Sequence, residues 1–75
     1  MTLIAPRISV DPEVRFGKPV IAGTRVPVSV IVGAVAAGDP WSEVAQQYGI
    51  TDEDVRAALT YAAQRLEEET VRAPA

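Results

Sequence analysis

The stretch Gly17-Lys18-Pro19-Val20-Ile21-Ala22-Gly23-Thr24-Arg25-Val26-Pro27-Val28 sets the tightest limits on what this chain can fold into. Val20 and Ile21 are a β-branched pair of the kind that strands bury. Gly23 follows at once, and only glycine enters positive φ without a steric cost. Thr24-Arg25-Val26 then resumes, and Pro27 fixes φ and removes a backbone donor. The pattern predicts a short strand, a tight turn that positions a basic side chain, and a proline that opens a helix. Residues before this stretch can pair with it as a hairpin, and those after it are helical.

With 75 residues the chain has room for one domain. A domain this small leaves much of its surface exposed and is marginally stable alone. It has no cysteine for a disulfide and no histidine to serve as a general base or metal ligand. A small core without a staple favours oligomerisation. Nearly half of the residues, 48%, are hydrophobic, more than a core this short needs, so part of that surplus is expected at a subunit interface.

The net charge of −3 is unevenly spread. Up to Gly38 the chain has Arg7, Arg15, Lys18 and Arg25 against Asp11 and Glu13. Beyond it, Arg56, Arg65 and Arg72 face eight carboxylates. An acidic chain is a poor general binder of nucleic acid, but this asymmetry allows a basic face on the amino-terminal half. No signal peptide is visible, and the apolar run near Val26 to Ala37 is interrupted and too short to span a bilayer. A cytoplasmic protein without membrane contact is expected.

The expected fold is mainly α: a three-helix, helix-turn-helix-like domain with a short N-terminal antiparallel β-hairpin. Residues 1–6 are expected to be a flexible end, residues 7–66 the domain, and residues 67–75 a loose tail. Arg7-Ile8-Ser9-Val10 alternates with the period of a half-buried strand, and Asp11-Pro12 stops it. Val14 and Phe16 are candidate anchors in the connection, and Pro19 to Ala22 return as the second strand, giving a hairpin over 7–26. Helices are expected at about 27–37, 40–48 and 52–66. Val28, Ile31, Val32 and Val35 form one stripe of the first helix, and Val30, Ala34 and Ala36 make it apolar nearly all round. Its β-branched residues leave a strand over Val28 to Val32 as an alternative. Asp39 and Pro40 read as N-cap and first residue of the second helix. Thr51 and Asp54 have the spacing of a capping box for the third, where Val55, Ala58, Leu59, Ala62 and Leu66 make the buried stripe. Glu67-Glu68-Glu69 is expected to fray it.

Ser42 to Leu59 has helix-turn-helix spacing, with small Ala45, turn-forming Gly49 and apolar Ile50. Such a motif lays its second helix in the DNA major groove. Here that helix would lead with Asp52, Glu53 and Asp54, which repel phosphates, and only Arg56 offsets them. The better candidates for a DNA face are Arg7, Arg15, Lys18 and Arg25, doubled along one ribbon if two copies join. Alternatively these four form a solvated basic surface, with Arg25 held by Asp11. No catalytic, metal or cofactor site is expected. The acidic cluster suits a helix N-terminus, and Gly17-Lys18-Pro19 lacks the other residues of a phosphate loop.

Asp11-Pro12, Gly17-Lys18-Pro19-Val20-Ile21, Gly23-Thr24-Arg25-Val26-Pro27-Val28, Gly38, Glu43-Val44-Ala45, Tyr48, Thr51-Asp52-Glu53-Asp54-Val55, Ala58-Leu59 and Tyr61-Ala62 together resemble the signature of the domain of unknown function 433 family. The resemblance covers about Ile8 to Leu66. Members of that family are described as candidate antitoxins of the VapB type, often paired with a toxin predicted to be a PIN-like ribonuclease. The resemblance implies a non-enzymatic antitoxin that silences such a nuclease and binds its own promoter DNA as a homodimer. The end of the last helix and the tail, with Leu66, Glu67 and Arg72, would then meet the toxin. An arginine entering a carboxylate-lined nuclease site is chemically sensible. The alternative is an interaction and dimerisation module that binds no DNA.

Overall fold

A computed structural model describes residues 1–70. The elements, in order, are β1 (Thr2–Ala5), β2 (Ile8–Val10), a one-turn segment at Arg15–Gly17, β3 (Val20–Ile21), α1 (Val28–Ala36), α2 (Trp41–Tyr48) and α3 (Asp52–Glu68). The fold is mainly helical, with the antiparallel sheet at the amino-terminal end, as the sequence implies. The sheet has three strands rather than two, in the order β1-β2-β3. Residues 2–5, expected as a loose end, are the added strand: Thr2 pairs with Val10 and Leu3 with Ser9. A two-residue turn, Pro6-Arg7, brings the chain back. Proline presets φ at its first position, and Arg7 takes φ 65° at the second, as a type II turn requires.

The organising stretch folds by local chemistry. Gly23 has φ +79°, which lets the Thr24 amide reach the Ile21 carbonyl at 3.0 Å. The Thr24 hydroxyl donates to the same carbonyl at 2.7 Å and accepts from the Val26 amide at 3.0 Å. The Ile21 amide then donates to Val26 at 2.9 Å and the Val28 amide to Pro19 at 3.0 Å. Val26 and Pro27 therefore close the outer edge of β3 before α1 begins.

Both helix-opening prolines sit one residue earlier than expected. Pro27 and Pro40 are N-caps in extended conformation, without a side-chain cap. Asp39 is thus outside α2. Gly38 and Gly49 end α1 and α2 in Schellman motifs: Asp39 N–H donates to Ala34 at 3.2 Å, and Ile50 N–H to Ala45 at 2.9 Å. The capping box of α3 is complete, with Asp54 N–H on the Thr51 hydroxyl at 3.1 Å and Thr51 N–H on the Asp54 carboxylate at 3.0 Å. α3 runs past Leu66 to Glu68, where Arg65 meets Glu68 at 3.1 Å and offsets the unfavourable terminal anions.

The core draws on every layer: Ile8 and Ile21 from the sheet, Val28 and Ile31 from α1, Val44 and Ala45 from α2, Val55 and Ala58 from α3. Each full-sized apolar side chain so buried contributes roughly 1.5–3 kcal/mol. Two expectations about burial are corrected. α1, though apolar nearly all round, buries only the face that joins the core; Ser29, Gly33 and Ala36 are exposed, and Val30 is 39% exposed. Leu66 is not part of the buried stripe: α3 outruns the elements it packs on, and this side chain is 68% exposed. Among the described residues, no helix is long and apolar enough to cross a membrane.

Candidate nucleic-acid and partner interface

Two groups of cations emerge from the candidate residues. The first is Arg15 with Arg25. Residues 15–17 form a left-handed turn, with φ 53° at Arg15, 57° at Phe16 and 80° at Gly17. Gly17 N–H closes it on Val14 at 3.1 Å and Lys18 N–H on Arg15 at 3.1 Å. This geometry directs Arg15 to the Gly23–Arg25 turn, where its Nε donates to the Arg25 carbonyl at 3.2 Å. Two guanidinium-bearing residues thus adjoin on turns braced by hydrogen bonds. Neither forms an ion pair among the described residues, and Asp11 does not hold Arg25. The Asp11 carboxylate accepts from the Glu13 amide at 2.9 Å and lies 3.7 Å from the terminal amine.

The second group faces α3. Arg7 bridges two carboxylates of its first turn, Glu53 at 2.7 Å and Asp54 at 3.0 Å. Arg56 stacks over Trp41, 5.4 Å from the ring centroid, a cation–π contact. Arg7 and Arg56 line one cleft with Glu53, Thr60, Tyr61 and Gln64. The expectation that Arg56 alone offsets the acidic trio is therefore corrected, since Arg7 does so directly. Arg7 is correspondingly less available to a phosphate. Lys18 stands apart from both groups, at the rim of an apolar groove lined by Val28, Val32, Tyr61 and Leu66.

Burial by itself would push the Asp54 carboxyl up. The Thr51 backbone amide and the Arg7 guanidinium hydrogen-bond to the charged form and, with the Thr51 hydroxyl beside it, outweigh that burial. The net result is a carboxyl held below its ordinary value. In the first turn of α3, Arg7 thus partners Glu53 and Asp54, while Asp52 stays exposed without an ion pair among the described residues.

Phe16 is another residue that the sequence places differently. It was a candidate anchor but is 98% exposed, because the left-handed turn points it away from the sheet. No local signal other than the following Gly17 announces that turn. At the other end, Leu66 and Glu67 are exposed on the last turn of α3. Arg72 lies outside the described residues.

Residues 8–62 match the family described as "Protein of unknown function (DUF433)". The chain belongs to the DUF433 family. It is similar to "Putative antitoxin VapB45" of Mycobacterium tuberculosis, strain H37Rv, with 36% identity over 52 residues. That match takes in 69% of this chain but 22% of the relative, so the chain spans about a fifth of the length of that protein. Two crystal structures share the fold. One is Rv2018 from Mycobacterium tuberculosis, with a TM-score of 0.65 at 36% identity over 69% of this chain and 24% of that one. The other is a DUF433 member from Anabaena variabilis, with a TM-score of 0.73 at 36% identity over 83% of this chain and 62% of that one. The DUF433 match begins at Ile8, so β1 lies outside it, whereas β2, β3 and the three helices begin within it.

Proposed function

We propose that this DUF433 protein is a non-enzymatic, antitoxin-like component of a bacterial toxin–antitoxin system. In this reading it acts in the cytoplasm, binds a PIN-like nuclease toxin, and binds its own promoter DNA as a homodimer. The likeness to a relative named as an antitoxin supports the role. The observation that carries the DNA-binding part is the Arg15–Arg25 pair, two cations on adjoining braced turns without a carboxylate partner among the described residues. The bond to the Arg25 carbonyl orders the Arg15 side chain in advance, so that it loses less freedom on meeting a phosphate. The other candidate cations stand apart from this pair: Lys18 borders a separate groove, Arg7 is engaged by Glu53 and Asp54, and Arg56 stacks on Trp41. The exposed end of α3, Leu66 and Glu67, with Arg72 beyond it, is the proposed toxin contact.

The test is co-expression with the product of the adjacent open reading frame. The proposal expects a nuclease whose growth arrest is relieved by this chain and which co-purifies with it. An unrelated neighbour, with no complex formed, would count against it. A second reading, an interaction and dimerisation module without DNA binding, draws support from the Arg7 contact with Glu53 and Asp54, which removes one cation from the proposed face. Under that reading the complex forms but low-salt DNA binding is absent.

A further inference from the structure

We infer that β1 is the dimerisation strand: it pairs antiparallel with β1 of a second copy and joins two three-stranded sheets into one of six. This rests on the dimeric part of the proposed function, and on neither the DNA nor the toxin. The two edges of the sheet differ. The β3 edge is closed by Val26 and Pro27. The outer edge of β1 has no backbone partner among the described residues.

β1 places apolar side chains on the rim of the sheet. Leu3 and Ile4 are neighbours at the irregularity of the strand, where the regular ladder is interrupted. Both are apolar, and 62% and 43% exposed, beside Met1 at 76%. A rim strand of uncharged apolar residues is a ready template for pairing with another chain. The usual guards of a free edge are charges, prolines and bulges. Thr2-Leu3-Ile4-Ala5 has no charge and no proline. It has one irregularity, between Leu3 and Ala5, which limits how far a ladder extends.

A second copy is the occupant that fits. An uncharged strand meets its own twofold mate without like-charge repulsion, and the same apolar set is covered on both sides of an isologous contact. The nearest charges are already held, the terminal amine near Asp11 and Arg7 on α3. A four-residue ladder with three side chains per copy is at the small end of specific interfaces, so the dimer dissociates on dilution.

Analytical ultracentrifugation across a concentration series tests this. The chain is expected to pass from monomer to dimer, and Leu3→Lys to remain monomeric at every concentration with an unchanged helical spectrum. Val30→Lys, on the exposed face of α1, leaves dimerisation intact. Amide exchange needs no variant and gives a second readout: protection within Thr2–Ala5 rises with protein concentration. A dimer that survives Leu3→Lys, or β1 amides indifferent to concentration, overturns the inference while leaving the homodimer standing. A monomer up to ~1 mM overturns both.

Discussion

Arg7 and Asp54, 47 positions apart in the chain, are joined by a 3.0 Å charge-assisted hydrogen bond that ties the β1–β2 turn to the first turn of α3. Asp54 also completes the capping box with Thr51, so one carboxylate serves both the helix start and the sheet–helix contact. Arg7 is 46% exposed, which keeps the coupling modest. A double-mutant cycle between Arg7→Ala and Asp54→Ala, read by urea denaturation, should give about 0.5–1 kcal/mol. Thr51→Ala alone should cost about 1 kcal/mol, since it removes the cap. A coupling near zero would mean the bridge is not maintained in solution.

The same carboxylate predicts an acid limb of stability. Its folded pKa lies below the unfolded one. Its contribution is therefore fully present above the ordinary aspartate value of about 3.9 and is lost as the pH falls through the lower folded value. Asp54→Asn should flatten the dependence of the urea midpoint on pH below about pH 4. An unchanged slope would assign the acid sensitivity to other groups.

Core truncation should be severe in so small a domain. Ile31 is fully buried where α1 meets the rest of the core. Ile31→Ala should cost roughly 2–5 kcal/mol. Since small domains have stabilities of about 5–15 kcal/mol, the loss should be visible as a large drop in Tm or as unfolding at room temperature. Val30→Ala, on the exposed face of α1, should be close to neutral by the same measurement.

Phe16 offers the opposite sign. Its φ of 57° is costly for a residue with a Cβ, and its 98% exposure means that no packing is lost on truncation. The left-handed penalty of roughly 1–2 kcal/mol exceeds the entropic cost of glycine, roughly 0.5–1 kcal/mol. Phe16→Gly should therefore raise stability by about 0.5 kcal/mol, measured by thermal or urea unfolding. Destabilisation would show that the ring is covered in solution.

What could be read in the sequence was mostly local. Gly23, Gly38, Gly49 and the Thr51–Asp54 box act within a few residues of themselves, so the turns and helix limits were legible to within a residue or two. β1 was not, because Thr2–Ala5 shows neither alternation nor a turn signal beyond Pro6, and its partners lie across the sheet. The Arg7 contact was invisible for the same reason: nothing near position 7 announces a carboxylate on α3. The exposure of Leu66 and of one face of α1 depends on how far neighbouring elements extend, which hydrophobic spacing does not report. Of the proposed DNA face, the basic residues were legible but their grouping was not. Arg15 meets Arg25, Arg7 turns to α3, and Lys18 stands at a separate groove.

In the proposed DNA complex the turns of the amino-terminal sheet, and not the front of α3, meet the phosphate backbone. Fluorescence anisotropy on a duplex from the upstream region, over a salt series, tests it most directly. Each lost phosphate contact lowers the slope of log K against log salt by about 0.9. The account predicts that joint replacement of Arg15 and Arg25 by Ala weakens binding and lowers that slope by nearly two contacts, while Arg56→Ala changes it little. Affinity and slope that survive the double replacement but fall with Arg56→Ala would contradict it.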